Sequence, residues 1–197
     1  MSNTFFETIK AIDGEVLNLS YHQARYESVL NYFGISKLQN IKDFIQPPKN
    51  GLYRCRLTYD ISNHIEVTYH EYKKREISSL KIIYDDSIEY SMKYVNRDKL
   101  DELFSLRGEC DDILIVKNSL ITDTSIANIA FFDSSRWITP ALPLLRGTTR
   151  ERLLRDGKIF EEEIHVNDLE KFLQVALMNA MIDFDIITKN AKDFCAR

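Results

Sequence analysis

A chain of 197 residues can bury a real core, in one domain or in two small ones. Its hydrophobic share of 44% and charged share of 28% are those of a soluble globular protein, and a net charge of −4 gives no support for a nucleic-acid partner. No apolar stretch reaches the roughly 18 residues that span a bilayer, so no membrane partner is expected.

Met1-Ser2-Asn3-Thr4 lacks the basic and apolar regions of a signal peptide. Cys55, Cys110 and Cys195 are odd in number and show no metal spacing, which points to a reducing cytoplasmic setting. The histidines, His22, His64, His70 and His165, form no zinc motif, so no metal is expected.

Phe5 to Ile12 alternates as a strand does, Asp13-Gly14 is a hairpin signal, and Val16 to Leu19 returns. Ser20 is a candidate N-cap for a helix over 21–33, with Gly34 suited to its C-terminal end. His22 and Arg25 are three apart and share a face of that helix; taken alone they read as a solvated surface pair. A short helix over 36–45 is expected, ended by Pro47-Pro48. Strands are expected over 51–59 and 64–73, joined by a turn. Arg54 and Arg56, two apart, point to one sheet face, with Cys55 and Leu57 on the other. Such a pair is either solvent-exposed or builds a pocket for a carboxylate-rich ligand, which arginine's fork binds bidentately.

A soft boundary falls between residues 76 and 90, giving an expected α+β domain over 1–85 and a second domain over 86–197. Leu80 to Tyr84 is an apolar run, and a helix follows over 98–107. Strands are expected over 112–117, 120–123, 126–132 and 137–139, a meander with Asp123 at its centre. A helix is predicted over 148–155, opened by Gly147-Thr148-Thr149 and followed by Gly157. Strands over 159–165, 172–180 and 182–187, with a short helix at Asn167-Asp168, complete the chain.

Lys93 lies between the apolar run and the helix at 98, in Ser91-Met92-Lys93-Tyr94-Val95-Asn96-Arg97. Alone it reads as a solvated amine, and Asp123 alone as a turn aspartate. The ordered series of a lysine, an acid before an apolar strand, and a Gly-Thr-Thr helix start changes that. It suits a pyridoxal phosphate site: an amine for the aldehyde, a partner for the pyridine nitrogen, and a phosphate cradle of helix N–H groups and hydroxyls.

The same residues carry a resemblance that runs from about Phe5 to Ile187. Phe6-Glu7-Thr8-Ile9 with Asp13-Gly14, His22-Gln23-Ala24-Arg25, Lys93, Thr122-Asp123 with Ala127-Asn128, Gly147-Thr148-Thr149-Arg150 and Asn179-Ala180 resemble, in that order, the motifs of fold-type-IV pyridoxal phosphate enzymes. These include branched-chain and D-amino-acid aminotransferases and 4-amino-4-deoxychorismate lyases. The resemblance implies a two-domain fold like that of D-amino-acid aminotransferase, with a small N-terminal α/β sandwich and a C-terminal β-barrel-like domain. It implies that Lys93 is the catalytic Schiff-base lysine and that Asp123 partners the pyridine nitrogen. It also implies that Arg25, Thr148, Thr149, Asn179 and Ala180 bind the cofactor phosphate, with Asn128 organising the site, and that the protein is a homodimer.

Lys93-Tyr94-Val95-Asn96-Arg97 looks like the Lys-x-x-Asn-Arg of the lyases, and Thr8 stands where lyases have threonine. With Arg54 and Arg56 as substrate-binding residues, the favoured expectation is the lyase that releases pyruvate and forms 4-aminobenzoate for folate synthesis. The alternatives are an aminotransferase for branched-chain or D-amino acids, using a keto acid, and a non-catalytic binder of the cofactor. Two departures stand out. Position 123 is Asp where the family has Glu. The pattern also opens directly in the Phe6-Glu7-Thr8 hairpin, where most relatives have an earlier strand pair, so a small N-terminal domain is expected.

Overall fold

The computed structural model describes residues 4–188; Cys195 and residues 1–3 lie outside them. The chain is a mixed α+β fold and divides into two compact units. The first runs to Lys74 and takes in Met92–Asn96; the second comprises Arg75–Ser91 and the chain from Arg97.

In the first unit, β1 (Thr4–Ile12), β2 (Glu15–Val16), β3 (Leu52–Asp60) and β4 (Ile65–Glu71) form an antiparallel sheet in the order β2-β1-β3-β4. The Asp13-Gly14 turn has positive φ at both residues, the conformation that a two-residue hairpin demands. Alternation along β1 and β3 puts Phe5, Ile9, Cys55, Leu57 and Tyr59 on one face, where they meet α1 (Leu19–Tyr32). The helix buries His22, Tyr26, Val29 and Leu30, spaced for one stripe.

The strand β2 covers only Ala11 and Ile12 of β1. The other end of that edge is taken by the Lys93 segment: Phe6 N–H donates to the Lys93 carbonyl at 2.9 Å, and Val95 N–H to the Thr4 carbonyl at 2.9 Å. That pairing is why Met92–Asn96 belongs to the first unit.

Two local expectations are corrected. The first helix starts at Leu19, with Asn18, not Ser20, in the cap position. Asn18 is left-handed (φ 55°) and makes no side-chain cap bond, a conformation that Asn tolerates well. The helix expected over 36–45 is only the short 3₁₀ turn Ile41–Phe44. Side chains capture the backbone groups a helix would need. Gln39 N–H donates to the Tyr26 hydroxyl, Ile41 N–H to Gln23 Oε1, and Gln23 Nε2 to the Gln39 carbonyl.

The second unit contains β5 (Leu80–Tyr84), α2 (Asp98–Ser105), β6 (Asp112–Lys117), β7 (Leu120–Thr124), β8 (Asn128–Phe132), β9 (Trp137–Pro140), α3 (Thr148–Arg155), β10 (Phe160–Glu162), β11 (Gln174–Asn179) and β12 (Asp183–Thr188). One eight-stranded sheet runs β10-β9-β8-β7-β6-β5, with β11 joining β8 to β12. The β5–β6 and β9–β10 pairs are parallel and the others antiparallel. One edge of β8 is shared. β7 meets it at Asp123↔Asn128, and β9 meets it at Phe131 and Phe132. Leu114, Val116, Ile129, Phe131, Ile138, Val175 and Leu177 are buried in one core cluster. Leu153 of α3 joins Ala130, Ile159 and Met178 in a second. Packing on both faces fixes where β7, β8 and the start of α3 lie.

Candidate active site

The first unit presents Lys93 beside an aromatic platform. Its Nζ lies 4.7 Å from the Phe6 ring centroid, and Arg56 Cζ lies 4.0 Å from the same ring. Both distances are within cation–π range. Thr8 is directly opposite Arg56, and Lys10 opposite Arg54. Thr8, Arg54 and Arg56 therefore share the face of the sheet that carries Phe6. Arg54 is exposed and Arg56 half-buried. Among the expected residues of this unit, Lys93, Thr8, Arg54 and Arg56 are gathered on that face.

Arg25 belongs to the other face, with a residue that the sequence reading used only as part of a motif. Glu7, fully buried in the middle of β1, accepts Nε–H of Arg25 at 2.8 Å on Oε1 and Nη2–H at 2.5 Å on Oε2. His22 Nδ1 lies 2.6 Å from Oε2. Burial alone would raise the Glu7 carboxyl. The Arg25 charge and the hydrogen bonds from His22 and Arg25 outweigh it and lower it from 4.5 to about 2. Burial pulls the pKa of His22 down despite the bond to Glu7, so the imidazole is neutral and donates from Nδ1. The signal for Glu7 was present in the sequence. Strict alternation puts position 7 on the apolar face of Phe5 and Ile9, and a carboxylate there needs partners. His22 and Arg25, one helical turn apart, supply them.

In the second unit Asp123 is buried near the end of β7. Its Oδ1 accepts Nδ2–H of Asn128 at 2.7 Å, and its Oδ2 accepts the Leu145 N–H at 2.9 Å. Asn128 Nδ2 also donates to the Leu145 carbonyl at 2.8 Å. The acid, the first residue of β8 and the turn before α3 are thus one hydrogen-bonded unit. Burial raises the Asp123 carboxyl from 3.8 to about 6, against the opposing bonds from Leu145 and Asn128 and the charge of Arg150. The hairpin between β7 and β8 is held by Thr124, whose Oγ1 accepts the Ala127 N–H at 3.0 Å, and by Arg97, which donates to the Ser125 carbonyl at 2.9 Å.

Gly147 precedes α3 and packs closely against Asn128. A Cβ built there would run into Asn128 Oδ1 and lie 3.2 Å from its Cγ. Thr148 and Thr149, both buried, open the helix, whose N-terminus has no side-chain cap. Arg150 is fully buried. Its Nη2 donates to the Pro140 carbonyl at 2.8 Å and to Glu161 at 2.5 Å, while Nε and Nη1 find no partner among the described residues. Asn179 ends β11. Its Oδ1 accepts the Met181 and Ile182 N–H groups, and its Nδ2 reaches the Ile126 carbonyl at 3.3 Å. Its side chain shapes the turn that carries Ala180 and touches the β7–β8 hairpin.

Among the described residues, no group of three or more His, Cys, Asp or Glu could hold a metal ion. No helix among them is long and apolar enough to cross a membrane.

The family model for amino-transferase class IV matches residues 4–189. The chain therefore belongs to the class IV aminotransferases, a family of pyridoxal phosphate enzymes. It is 41% identical over 182 residues to a protein of Haemophilus influenzae that has no assigned activity, covering 89% of this chain and 96% of that one. A crystal structure from Haemophilus somnus, provisionally named a 4-amino-4-deoxychorismate lyase, is 36% identical with a TM-score of 0.84. That match covers 92% of this chain and 97% of that one. A Schizosaccharomyces pombe protein, provisionally named an aminodeoxychorismate lyase, is 26% identical over 200 residues, covering 91% of this chain and 86% of that one.

Proposed function

We propose that the protein is a pyridoxal phosphate-dependent 4-amino-4-deoxychorismate lyase, releasing pyruvate and forming 4-aminobenzoate. The observation that carries this reading is the face holding Lys93, Phe6, Thr8, Arg56 and Arg54. A reactive amine beside an aromatic ring and two arginine forks suits a cyclic dicarboxylate better than a hydrophobic amino acid. The names of the Haemophilus somnus and Schizosaccharomyces pombe relatives support it.

The residues present fit the cofactor. The N-terminus of α3 offers uncapped amides beside two threonine hydroxyls, at a glycine where a Cβ has no room. Asp123 is buried and held by two hydrogen bonds, so it can face a cationic ring nitrogen. When bound, pyridoxal phosphate supplies the electron sink for the pair left as a substrate bond breaks.

Each residue then has a defined task. Lys93 would anchor the group through its amine, and the Lys93 amine, when free of it, would take the ring proton of the substrate. Asp123 would hold the proton on the ring nitrogen. Burial raises its carboxyl to about 6, and a positive partner beside it would bring that value back down, because opposite charge favours the carboxylate. In the second unit Thr148, Thr149, Asn179 and Ala180 would bind the phosphate; in the first, Arg25 would serve as a phosphate ligand. Arg54 and Arg56 bind the substrate carboxylates, and Thr8 orients the substrate beside them. Loss of the proton and of pyruvate makes the substrate ring aromatic, which drives the reaction without a keto-acid acceptor.

The test is fluorescence detection of 4-aminobenzoate from 4-amino-4-deoxychorismate and cofactor-loaded protein, with no keto acid added. Product from the wild type and none from Lys93→Ala is expected. Loaded protein that makes no product, yet transfers an amino group from an amino acid to a keto acid, would replace this reading with an aminotransferase. Loaded protein that does neither would leave a cofactor binder.

A further inference from the structure

We infer that Glu7 is a positioning residue for anion binding, acting through Arg25: its carboxylate sets the plane in which the guanidinium meets a phosphate. This rests on the reading of Arg25 as a phosphate ligand given above. An arginine side chain has many rotamers, and ordering one is entropically costly. Here two bonds, through Nε at 2.8 Å and Nη2 at 2.5 Å, fix the rotation of the guanidinium, and the direction of Nη1 follows from them. The carboxylate is itself fixed. Glu7 is paired with Leu57 in the centre of the sheet, and His22 holds Oε2 at 2.6 Å. Arg25 is 15% exposed while Glu7 is fully buried, so the pair points from the core outward.

Charge and geometry predict opposite signs here, which makes the inference testable. The anion of Glu7 weakens the Coulomb pull of Arg25 on a phosphate. If charge alone mattered, removing it would tighten phosphate binding. If orientation matters, removing it loosens binding, and only for a ligand that carries the phosphate.

The experiment is equilibrium titration of the full chain with pyridoxal phosphate and with pyridoxal, followed by absorbance of the bound ligand. Wild type, Glu7→Gln, Arg25→Met and the double variant are compared. Glu7→Gln is expected to lose on the order of ten- to a hundredfold in affinity for pyridoxal phosphate, the size of loss seen when a partner that orients a metal-ligating side chain is removed. Its affinity for pyridoxal is expected to stay at the wild-type value. Arg25→Met is expected to do the same, and the double variant to lose no more than either. Equal losses for both ligands, a gain for pyridoxal phosphate, or additive losses in the double variant would overturn the inference and leave the cofactor reading standing. A wild-type chain that binds neither ligand would overturn both. Should Glu7→Gln fail to fold, Glu7→Asp serves. It keeps the charge on a shorter arm, and loss of selectivity for the phosphate is again the supporting result.

Discussion

Asn128 Nδ2 lies 2.7 Å from Asp123 Oδ1 and 2.8 Å from the Leu145 carbonyl oxygen, so one amide ties the buried acid to the turn that opens α3. The backbone makes this possible, because Asp123 and Asn128 face each other across the β7–β8 pair. Asn128→Ala would leave a buried carboxylate oxygen and a part-buried carbonyl short of a donor. A loss of about 1–3 kcal/mol is expected, read as a lower Tm of the cofactor-free protein. Cofactor affinity should fall with it, since the acid and the turn then move independently. A Tm and an affinity both at wild-type values would show that the amide ties nothing together.

Gly147→Ala is expected to act on the same group from the other side. The new Cβ would collide with Asn128 Oδ1, so the amide must swing away from Asp123. Overpacking of this kind costs about 1–3 kcal/mol. The diagnostic is non-additivity: after Asn128→Ala has cleared the space, Gly147→Ala should cost little more. Thermal unfolding of the two single variants and the double variant measures this directly.

That coupling was only partly visible in the sequence. Gly147-Thr148-Thr149 announced a helix start, and the helix runs from Thr148 to Arg155 as expected. Asp123 was marked by the apolar strand around it. That Leu145 N–H would hold the acid, and that Asn128 would leave no room beside Gly147, depends on contacts 17 to 22 residues apart. Periodicity carries no information on those. The missing helix before Pro47 has the same cause. Tyr26, Gln23 and Asn63 bind the Gln39 region from 13 to 24 positions away. At Asp112–Lys117 and α3 the local pattern was enough, and expected bounds and structure agree.

Glu7 should make the protein acid-labile. Its carboxyl falls from 4.5 to about 2 on folding, so the unfolded chain takes up the proton first as the pH drops. A lowered folded-state value gives stability that is present above 4.5 and is lost as the pH falls toward 2. The size is about 3 kcal/mol for this buried group. His22 adds to the trend, because its value is also lowered by burial. Denaturant unfolding of wild type and Glu7→Gln between pH 5 and 3 checks this. The wild type should lose stability steeply, and the difference between the two should shrink. A constant difference across that window would show that Glu7 carries no proton-linked stability.

Asp123 should act with the opposite sign. Burial raises its carboxyl from 3.8 to about 6, so the folded chain holds a proton where the unfolded chain does not. Its contribution is fully present below about 3.8 and is lost as the pH rises through 6. This amounts to about 3 kcal/mol in the cofactor-free protein. Asp123→Asn has no proton to lose at this position. Measured as wild type minus Asp123→Asn, stability should therefore decline between pH 4 and 7, whatever the constant offset between the two. Saturating pyridoxal phosphate should flatten that decline, because a cationic ring nitrogen beside Asp123 would keep it ionised across the window. A decline that the cofactor leaves unchanged would mean that Asp123 does not face the ring nitrogen. A difference flat with pH in the cofactor-free protein would mean that the buried carboxyl is ionised throughout by Leu145, Asn128 and Arg150.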